Sequence, residues 1–492
     1  MSFSESSFIL KNDGTLWGCG YNSDGQLGLG DTSYRTTFTQ ITTNTDDIKS
    51  IYCGREHTLI LKNDGTLWGC GDNSYGQLGL GDMSRSTTFT QITINTDNIK
   101  SVYCGGYHTL ILKNDNTLWV CGRNQYGQLG LGDTTYRNTF TQITTNTNNI
   151  KSVYCGHYHS LILKNDGTLW ICGWNDYGQL GLGDTVDRSI FTQITTANIS
   201  DIKSIYCGHE YTFMLKNNGT LWGLGYNTNG ALGLGDTDYR TTFIPIGINT
   251  NDIKSIYCGH YYNLILKNDG TLWGCGSNDY GQLGLGDTNV RMTFTLISIN
   301  TNDIKSVYCG YQYAFILKND GTLWACGYNN YGRLGLGDEH NRTTFTQVTT
   351  NADNIKCFAN DYSTPDTIKI YDFKTGLIET LDTNNFRNIP IDKFEKLKVL
   401  YTKPLSTILN CIISFDKKQT WKTFDGLNWN VVSDTSESNI VMNCMDIGVL
   451  NTLNKDKLVA GGFTGDLDFK IAMKTNDKTA TSSVTKIYIE YK

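Results

Sequence analysis

No run of like charges occurs anywhere in the 492 residues, so the chain has no basic arm of the kind that grips nucleic acid. Its 41 lysines and arginines stand against 47 aspartates and glutamates, a net charge of -6. Phosphate backbones demand a concentrated basic surface, and this balance excludes nucleic acid as the default partner. No segment approaches the roughly 20 apolar residues of a membrane span, and membrane insertion is not expected. The opening MSFSESSFILKNDG has neither a basic region nor an apolar stretch of signal-peptide length, so the expectation is folding in a cytoplasm without signal-peptide export.

C-x-x-C pairs are absent, although there are 15 cysteines. Their odd number and regular positions read as reduced thiols rather than a disulfide framework. Through the first 361 residues helical periodicity is scarce, and no ten-residue stretch there shows it outside the glycine-rich loops. Proline is rare, 4 residues, while glycine reaches 52, tyrosine 29 and tryptophan 10. That composition predicts many turns between aromatic-rich strands. A chain of this length exceeds one ordinary core, so several domains or one large repeat architecture are expected.

What is present is a repeat. The stretch GQLGLGD, or a near copy, starts at Gly25, Gly76, Gly127, Gly178, Gly230, Gly281 and Gly332. Each copy follows an LKNDGTLW-type stretch whose tryptophans are Trp17, Trp68, Trp119, Trp170, Trp222, Trp273 and Trp324. The spacing is 51 residues, with 52 between Trp170 and Trp222. Periods of this size mean a solenoid, a propeller or an array. The glycines invite a phosphate-loop reading, but a P-loop continues into Gly-Lys-Ser/Thr, whereas GQLGLGD is followed by Thr, Met or Glu. They turn the chain instead.

In the third copy, IKSVYCG (Ile99 to Gly105), HTLILKN (His108 to Asn114), TLWVCG (Thr117 to Gly122) and FTQI (Phe140 to Ile143) read as four short strands. Asn-Asp-Gly between the second and third is a strong hairpin signal in most copies. Four strands make a propeller blade, and seven units make a closed ring. The chain begins at SSFILKND, already in the second strand, while DNIKCFAND (Asp353 to Asp361) is an orphan first strand. The two pieces are expected to pair as a clasp, which removes exposed sheet edges.

CGxNxxGQLGLGD at this period resembles the regulator of chromosome condensation repeat, a seven-bladed propeller family. The resemblance runs from Phe3 to about Asp361, and Trp-Asp and kelch signatures are absent. It implies the fold rather than a function.

The expected class is therefore all-β: a seven-bladed β-propeller with clasp closure over residues 1–361, a hairpin and linker over 362–411, and a small β-rich, sandwich-like domain with one helix over 412–492. The repeat tryptophans read as core that fills the gaps between blades. Cys53, Cys104, Cys155, Cys207, Cys258, Cys309 and Cys357 of YCG or its equivalent read as structural thiols, as do the cysteines of WGCG, where Leu224 in the fifth copy asks only for a hydrophobe. Cys155, His157 and His159 alternate along a strand, as metal ligands could. The other copies place unrelated residues there, so no metal site is expected.

The copies differ in three places. After YCG stand Arg55, Glu56, Tyr107, His157, Tyr158, His209, Glu210, His260, Tyr261, Tyr311 and Gln312. After CG stand Tyr21, Asp72, Arg123, Trp174, Tyr226, Ser277 and Tyr328. After LGLGD stand Tyr34, Arg85, Tyr136, Asp187, Tyr239, Val290 and Asn341. In a ring, equivalent positions gather on one face, and circles rich in Tyr, Trp, His and Arg suit binding. Drift of exposed loops in duplicated units is the alternative. The binding-face candidates are Arg55, Tyr107, His157, Tyr158, His209, His260, Tyr261, Tyr311, Tyr21, Arg123, Trp174, Tyr226 and Tyr328. No catalytic constellation and no cofactor fingerprint stands out, and no enzyme activity is expected.

Beyond Asp361, Thr367 to Leu381 alternates around Lys-Thr-Gly as a hairpin would, and Asn384 to Pro404 reads as a linker with a short helix. Ile412 to Val432 reads as two strands around an Asp-Gly turn, Gly448 to Val459 as a helix, and LDFKIAMK and VTKIYIEYK as strands. The order of phrases from Ser414 to Lys492 resembles a C-terminal module of tail-associated proteins of phages that infect low-GC Gram-positive bacteria. That resemblance implies a non-enzymatic structural or binding protein of a virion tail or baseplate, made in a bacterial cytoplasm. Its partners would be a cell-surface polysaccharide or protein, or other tail proteins, and it would act in several copies. The alternative is a guanine-nucleotide exchange factor, as the repeat family implies, or a propeller-type inhibitor or adhesin. The exchange-factor reading lacks a basic tail and an irregular insertion among the uniform units.

Overall fold

A computed structural model describes residues 4–196, 199–247, 252–298 and 303–358, together with seven strands beyond them. The chain divides into two units, Met1–Tyr362 and Ser363–Lys492.

The first unit consists of seven four-stranded antiparallel sheets. Blade 3 runs through Ile99–Cys104, His108–Lys113, Leu118–Gly122 and Arg137–Ile143, in that order across the sheet. Its fourth strand begins at Arg137, earlier than the apolar FTQI segment suggests, because Arg137 pairs with Gly122 across a bulge. The first strands of neighbouring blades lie beside one another around the central axis. All-β class and propeller architecture follow the sequence reading.

Closure is by the clasp. Ile355–Phe358 pairs antiparallel with Ser6–Lys11, so blade 1 takes its innermost strand from the far end of the unit. Lys11 Nζ reaches Asp353 at 2.8 Å, as Lys62 reaches Asp46 in blade 2.

The core lies between blades rather than within them. Leu59, Leu61, Leu67, Leu78 and Ile92 of blade 2 pack on Val102, Cys104, Ile111, Cys121 and Phe140 of blade 3, all buried. The repeat tryptophans differ from the expectation. They are only half-buried and pack at the margin of each cluster. Trp119 has a polar environment that explains this: its Nε1 donates to Thr117 Oγ1 at 2.9 Å, and Lys113 Nζ lies 4.4 Å from its ring centre. The same lysine-over-tryptophan pair recurs in every blade, with Lys11 on Trp17 and Lys318 on Trp324 at the two ends of the series. The lysine stem covers apolar surface while its ammonium faces the ring, a contact that contributes about 0.5–2 kcal/mol. The repeat cysteines are buried as expected, apart from half-buried Cys357, and burial pushes the Cys53, Cys207 and Cys309 thiols up to about 12.

The opening glycines of each GQLGLGD loop dock one blade on the next. Gly127 has φ 76°, and a Cβ there would stand 2.3 Å from Ser189 Cα on blade 4. The same loop donates from Gly132 N–H to the Ser189 carbonyl at 2.8 Å. Gly14, in a hairpin turn, has φ 86° but open space around it. Gly127→Ala is therefore expected to cost about 3 kcal/mol, from backbone strain and a clash with neighbouring backbone, whereas Gly14→Ala costs about 1 kcal/mol from strain alone. Urea unfolding of both variants checks this; equal losses would show that the loop does not lock the seam.

In the second unit, Phe394–Thr402 is a strand paired with Ser483–Tyr491, not the short helix expected within Asn384 to Pro404. Its sequence FEKLKVLYT alternates with period two through Lys396, Leu397, Lys398 and Val399, which suits a strand. Trp421–Phe424 and Trp429–Val432 form the hairpin around Asp-Gly, and Thr407–Ser414 joins Trp421–Phe424 to Asp466–Thr475. The hairpin expected at Thr367 to Leu381 and the helix at Gly448 to Val459 lie outside the described residues.

Candidate functional site

Each blade sends two connections to the same end of the ring, here the upper face: the turn from first to second strand, and the glycine loop from third to fourth. All three variable sets fall on these connections.

The innermost circle is made by the turns from first to second strand. Arg55 N–H donates to the Gly106 carbonyl at 3.0 Å, Gly106 to His157 at 3.1 Å, and His157 to His209 at 3.1 Å. His260 donates to Tyr311 at 3.1 Å and Tyr311 to Ser4 at 3.3 Å. The rings follow one another around the axis: His157 stacks on His209 at 3.9 Å, His209 meets His260 edge-on at 4.2 Å, and His260 lies tilted against Tyr311 at 4.1 Å. These three histidines are buried, and burial holds each imidazole neutral, with His209 lowered to about 3. Arg55 completes the circle over Tyr107 and Tyr311, at 5.8 and 5.6 Å from their centres. It also faces Glu5 at 3.4 Å and Glu56 at 3.5 Å.

The next circle is anchored to it by backbone. Amides of Asp72, Arg123, Trp174, Tyr226, Ser277 and Tyr328 donate to carbonyls of Glu56, Tyr107, Tyr158, Glu210, Tyr261 and Gln312, at 2.8–3.0 Å. Tyr21 donates likewise to Glu5 at 3.2 Å. Tyr34, Tyr136 and Tyr239 of the third set stand at the rim.

A fourth group joins these circles, and the sequence reading missed it. Tyr75, Tyr126, Tyr177, Tyr280 and Tyr331 precede the glycine of GQLGLGD or its variant. Tyr75 touches Tyr107 and Tyr136, Tyr126 stacks on Trp174 at 5.4 Å, and Tyr177 meets Trp174, Tyr226 and Tyr239 at 4.8–5.3 Å. A near-constant tyrosine inside a motif drew no notice among variable positions. The signal available was its absence in two copies, where Asp24 and Asn229 stand instead.

The result is a continuous aromatic surface. The sequence-predicted residues fall together on it, with Tyr107, His157, His209 and His260 buried as its floor and Tyr158, Trp174, Tyr226, Tyr261, Tyr311, Tyr21 and Tyr328 half-exposed. Arg123 sits among Tyr75, Tyr107, Tyr126 and Tyr158, its guanidinium 4.9–6.0 Å from each ring centre. Two carboxyls are raised to about 7: Glu56 by burial and then by Glu5, Asp24 and Asp72 against the opposing pull of Arg55, and Glu210 by burial.

Cys155, His157 and His159 do not converge. Cys155 is in the core, His157 stacks on His209, and His159 Nε2 contacts Thr212 Oγ1 of the next blade at 3.2 Å. Among the described residues, no group of His, Cys, Asp and Glu is arranged to hold a metal ion. What this face offers chemically is apolar area, phenol hydroxyls, cation–π partners and carboxylates, a set suited to recognition.

Residues 3–250 match the RCC1-like domain, and residues 269–317 and 320–358 match the regulator of chromosome condensation (RCC1) repeat. The ultraviolet-B receptor UVR8 of Arabidopsis thaliana is 32% identical over 336 residues, covering 66% of this chain and 75% of that protein. The human X-linked retinitis pigmentosa GTPase regulator is 31% identical over 298 residues, covering 58% of this chain and 29% of that much longer protein. Among solved structures, Prp20p from Saccharomyces cerevisiae, described with binding properties toward Gsp1p and histones, superposes with a TM-score of 0.62 at 21% identity, covering 70% of this chain and 88% of that one. Human WBSCR16 superposes with a TM-score of 0.59 at 22% identity, covering 70% and 94%.

Proposed function

We propose that this chain, which belongs to the family of RCC1-like repeat propellers, acts by binding a protein partner on its upper face. The observation that carries the reading is the aromatic surface: Tyr and Trp offer large contact area at low entropy cost, and Arg pairs with them. Its rim tyrosines Tyr34, Tyr239 and Tyr331 are the exposed aromatics, at 48%, 47% and 39%. Relatives named as a receptor and as a GTPase regulator support a binding or regulatory role in general terms.

The finer reading is a component of a bacteriophage tail or tail-like particle. The ordered phrases between Ser414 and Lys492 support it, and the partner is then a bacterial cell-surface molecule or another tail or baseplate protein. Several copies in one particle would turn modest contacts into tight attachment.

Photo-crosslinking tests the face. A benzophenone side chain at position 34 or 239 is expected to capture one partner protein, and the same group at Lys100, an exposed residue near the opposite end of blade 3, is not. Capture from position 100 alone would overturn the assignment. Cryo-electron microscopy of particles from the source tests the finer reading: a seven-bladed ring at a tail tip supports it, and particles without the ring sink it.

A further inference from the structure

The ring symmetry exposes a difference between blades 3 and 5. Arg123 of blade 3 is held by Tyr75 of the preceding glycine loop, by Tyr107 beside it and by Tyr158 of the next blade. Tyr226 occupies the equivalent position in blade 5. Its neighbours by the same repeat positions are Tyr177, Glu210 and Tyr261. Tyr177 lies 5.0 Å and Tyr261 4.5 Å from the Tyr226 ring centre, so two of the four rings around Arg123 have counterparts here, while Asn229 stands in place of Tyr126. A carboxylate replaces Tyr107, and no guanidinium is resident.

Glu210 is 95% buried, with 5% of its surface exposed. Its carboxylate accepts from Tyr261 Oη at 3.3 Å and lies 3.1 Å from Nδ1 of His209, an imidazole that burial keeps neutral. Among the described residues no lysine or arginine pairs with it. Burial first, and then the charge of Glu210, raises the hydroxyl pKa values of Tyr158, Tyr177, Tyr226 and Tyr261. Trp174 extends the aromatic wall, 5.3 Å from Tyr177 and 5.6 Å from Tyr158. A buried carboxylate without a counter-charge is costly, and one ringed by electron-rich faces gives a cation both an ion pair and cation–π contacts. Arg123 demonstrates within the same molecule that such a ring accommodates a guanidinium. Asp176 adds negative charge beside Glu210, and Asp279 on the same face bonds to Ser277 and forms no ion pair with a lysine or arginine among the described residues.

We propose that Glu210, with Trp174, Tyr177, Tyr226 and Tyr261, forms a cation subsite that takes an arginine or lysine side chain of the protein partner. The inference rests on the upper face being the binding face. Binding would ionise the carboxyl fully and release a proton near neutral pH, since the cation supplies the counter-charge that the protein lacks.

The test uses the full chain and three blocked pentapeptides, identical except for a central arginine, lysine or citrulline. Citrulline keeps the shape of arginine without its charge. Titration calorimetry at pH 7 is expected to show saturable binding of the arginine and lysine peptides, at least tenfold tighter than citrulline, with proton release in buffers of differing ionisation heat. Glu210→Gln is expected to remove that preference by about tenfold without lowering the melting temperature, because it takes away a buried, uncompensated carboxyl. Asp166→Asn, in the exposed hairpin at the opposite end of blade 4, is expected to keep the preference. Equal affinity for arginine and citrulline, or an unchanged preference in Glu210→Gln, would overturn the subsite. The face itself is judged separately: a partner captured from position 239 equally by the parent and by Glu210→Gln leaves the face standing and removes the subsite.

Discussion

Acidification from pH 6.5 toward pH 5 is expected to destabilise the propeller steeply, in a range where most proteins are near their optimum. Six of the 7 histidines, His57, His108, His157, His159, His209 and His260, are buried. Burial lowers His57 to about 4, against a smaller upward pull from Asp72, and lowers His108 and His159 to about 3, with neighbouring histidines adding to the shift. Nearby His209 and Arg55 add to burial at His157 and His260. In the unfolded chain these groups titrate near 6.5. Below that pH the unfolded state binds protons that the folded state refuses, so unfolding free energy falls as pH falls. Glu56 and Glu210 act in the opposite sense, since at about 7 they take up protons in the folded state before the unfolded chain does. Six groups against two leave a net uptake of about four protons on unfolding, or about 5 kcal/mol per pH unit between pH 6 and 5. Calorimetry over a pH series, with hydrogen exchange to assign the transition to the propeller strands, measures the slope. A melting temperature that is flat from pH 7 to 5 would mean that these histidines are hydrated or paired in the folded state.

Three of those histidines belong to a belt of polar links across the seams. His57 contacts Thr109 at 3.2 Å, His108 contacts Ser160 at 2.9 Å, and His159 contacts Thr212 at 3.2 Å, each on the following blade. From blade 5 onward tyrosine takes over: Tyr211 Oη donates to Asn263 at 2.9 Å and Tyr313 Oη to the Ser6 carbonyl at 2.9 Å. Acid therefore attacks blades 2 to 4 first, and exchange there is expected to lead.

Phe358→Ala in the clasp is expected to cost about 4 kcal/mol, the range for emptying a buried aromatic site. Phe358 is 4% exposed, stacks on Tyr308 at 5.5 Å and meets Phe315 at 5.9 Å, so it joins the closing strand to blade 7. Because the clasp joins the two ends of the unit within one sheet, loss should loosen the ring there before it melts elsewhere. Amides of Ser6–Lys11 that pair with it should exchange sooner than those of Leu118–Gly122 in blade 3. By contrast Asp353→Ala, at the same clasp, should cost less than 1 kcal/mol, since the Asp353 side chain is 71% exposed and its ion pair is largely solvated. A Phe358→Ala loss below 1 kcal/mol would show that the clasp strand is dispensable for closure.

Much of the fold was legible because repetition reports itself. A 51-residue period, Asn-Asp-Gly between apolar runs and a displaced first strand specify blades, hairpins and clasp without any contact information. The gathering of variable residues on one face follows from rotation alone. Burial within that face was not legible. His157 and Tyr158 are adjacent in sequence, yet His157 is 1% exposed beneath its neighbour and Tyr158 lies half-open. Nor could the tryptophans be placed, since their half-burial depends on Lys113 and its counterparts lying over them.

Local chemistry determined what each unit becomes: alternation makes the strands, positive-φ glycines make the loops, and the period makes them alike. Tertiary structure alone decided what the units do to one another. Arg123 lies among rings from three blades, and Glu210 lies among rings from blades 4, 5 and 6 without a cation. Such surroundings arise across seams, between residues about 50 positions apart, where short-range pattern carries no information about distance, burial or charge.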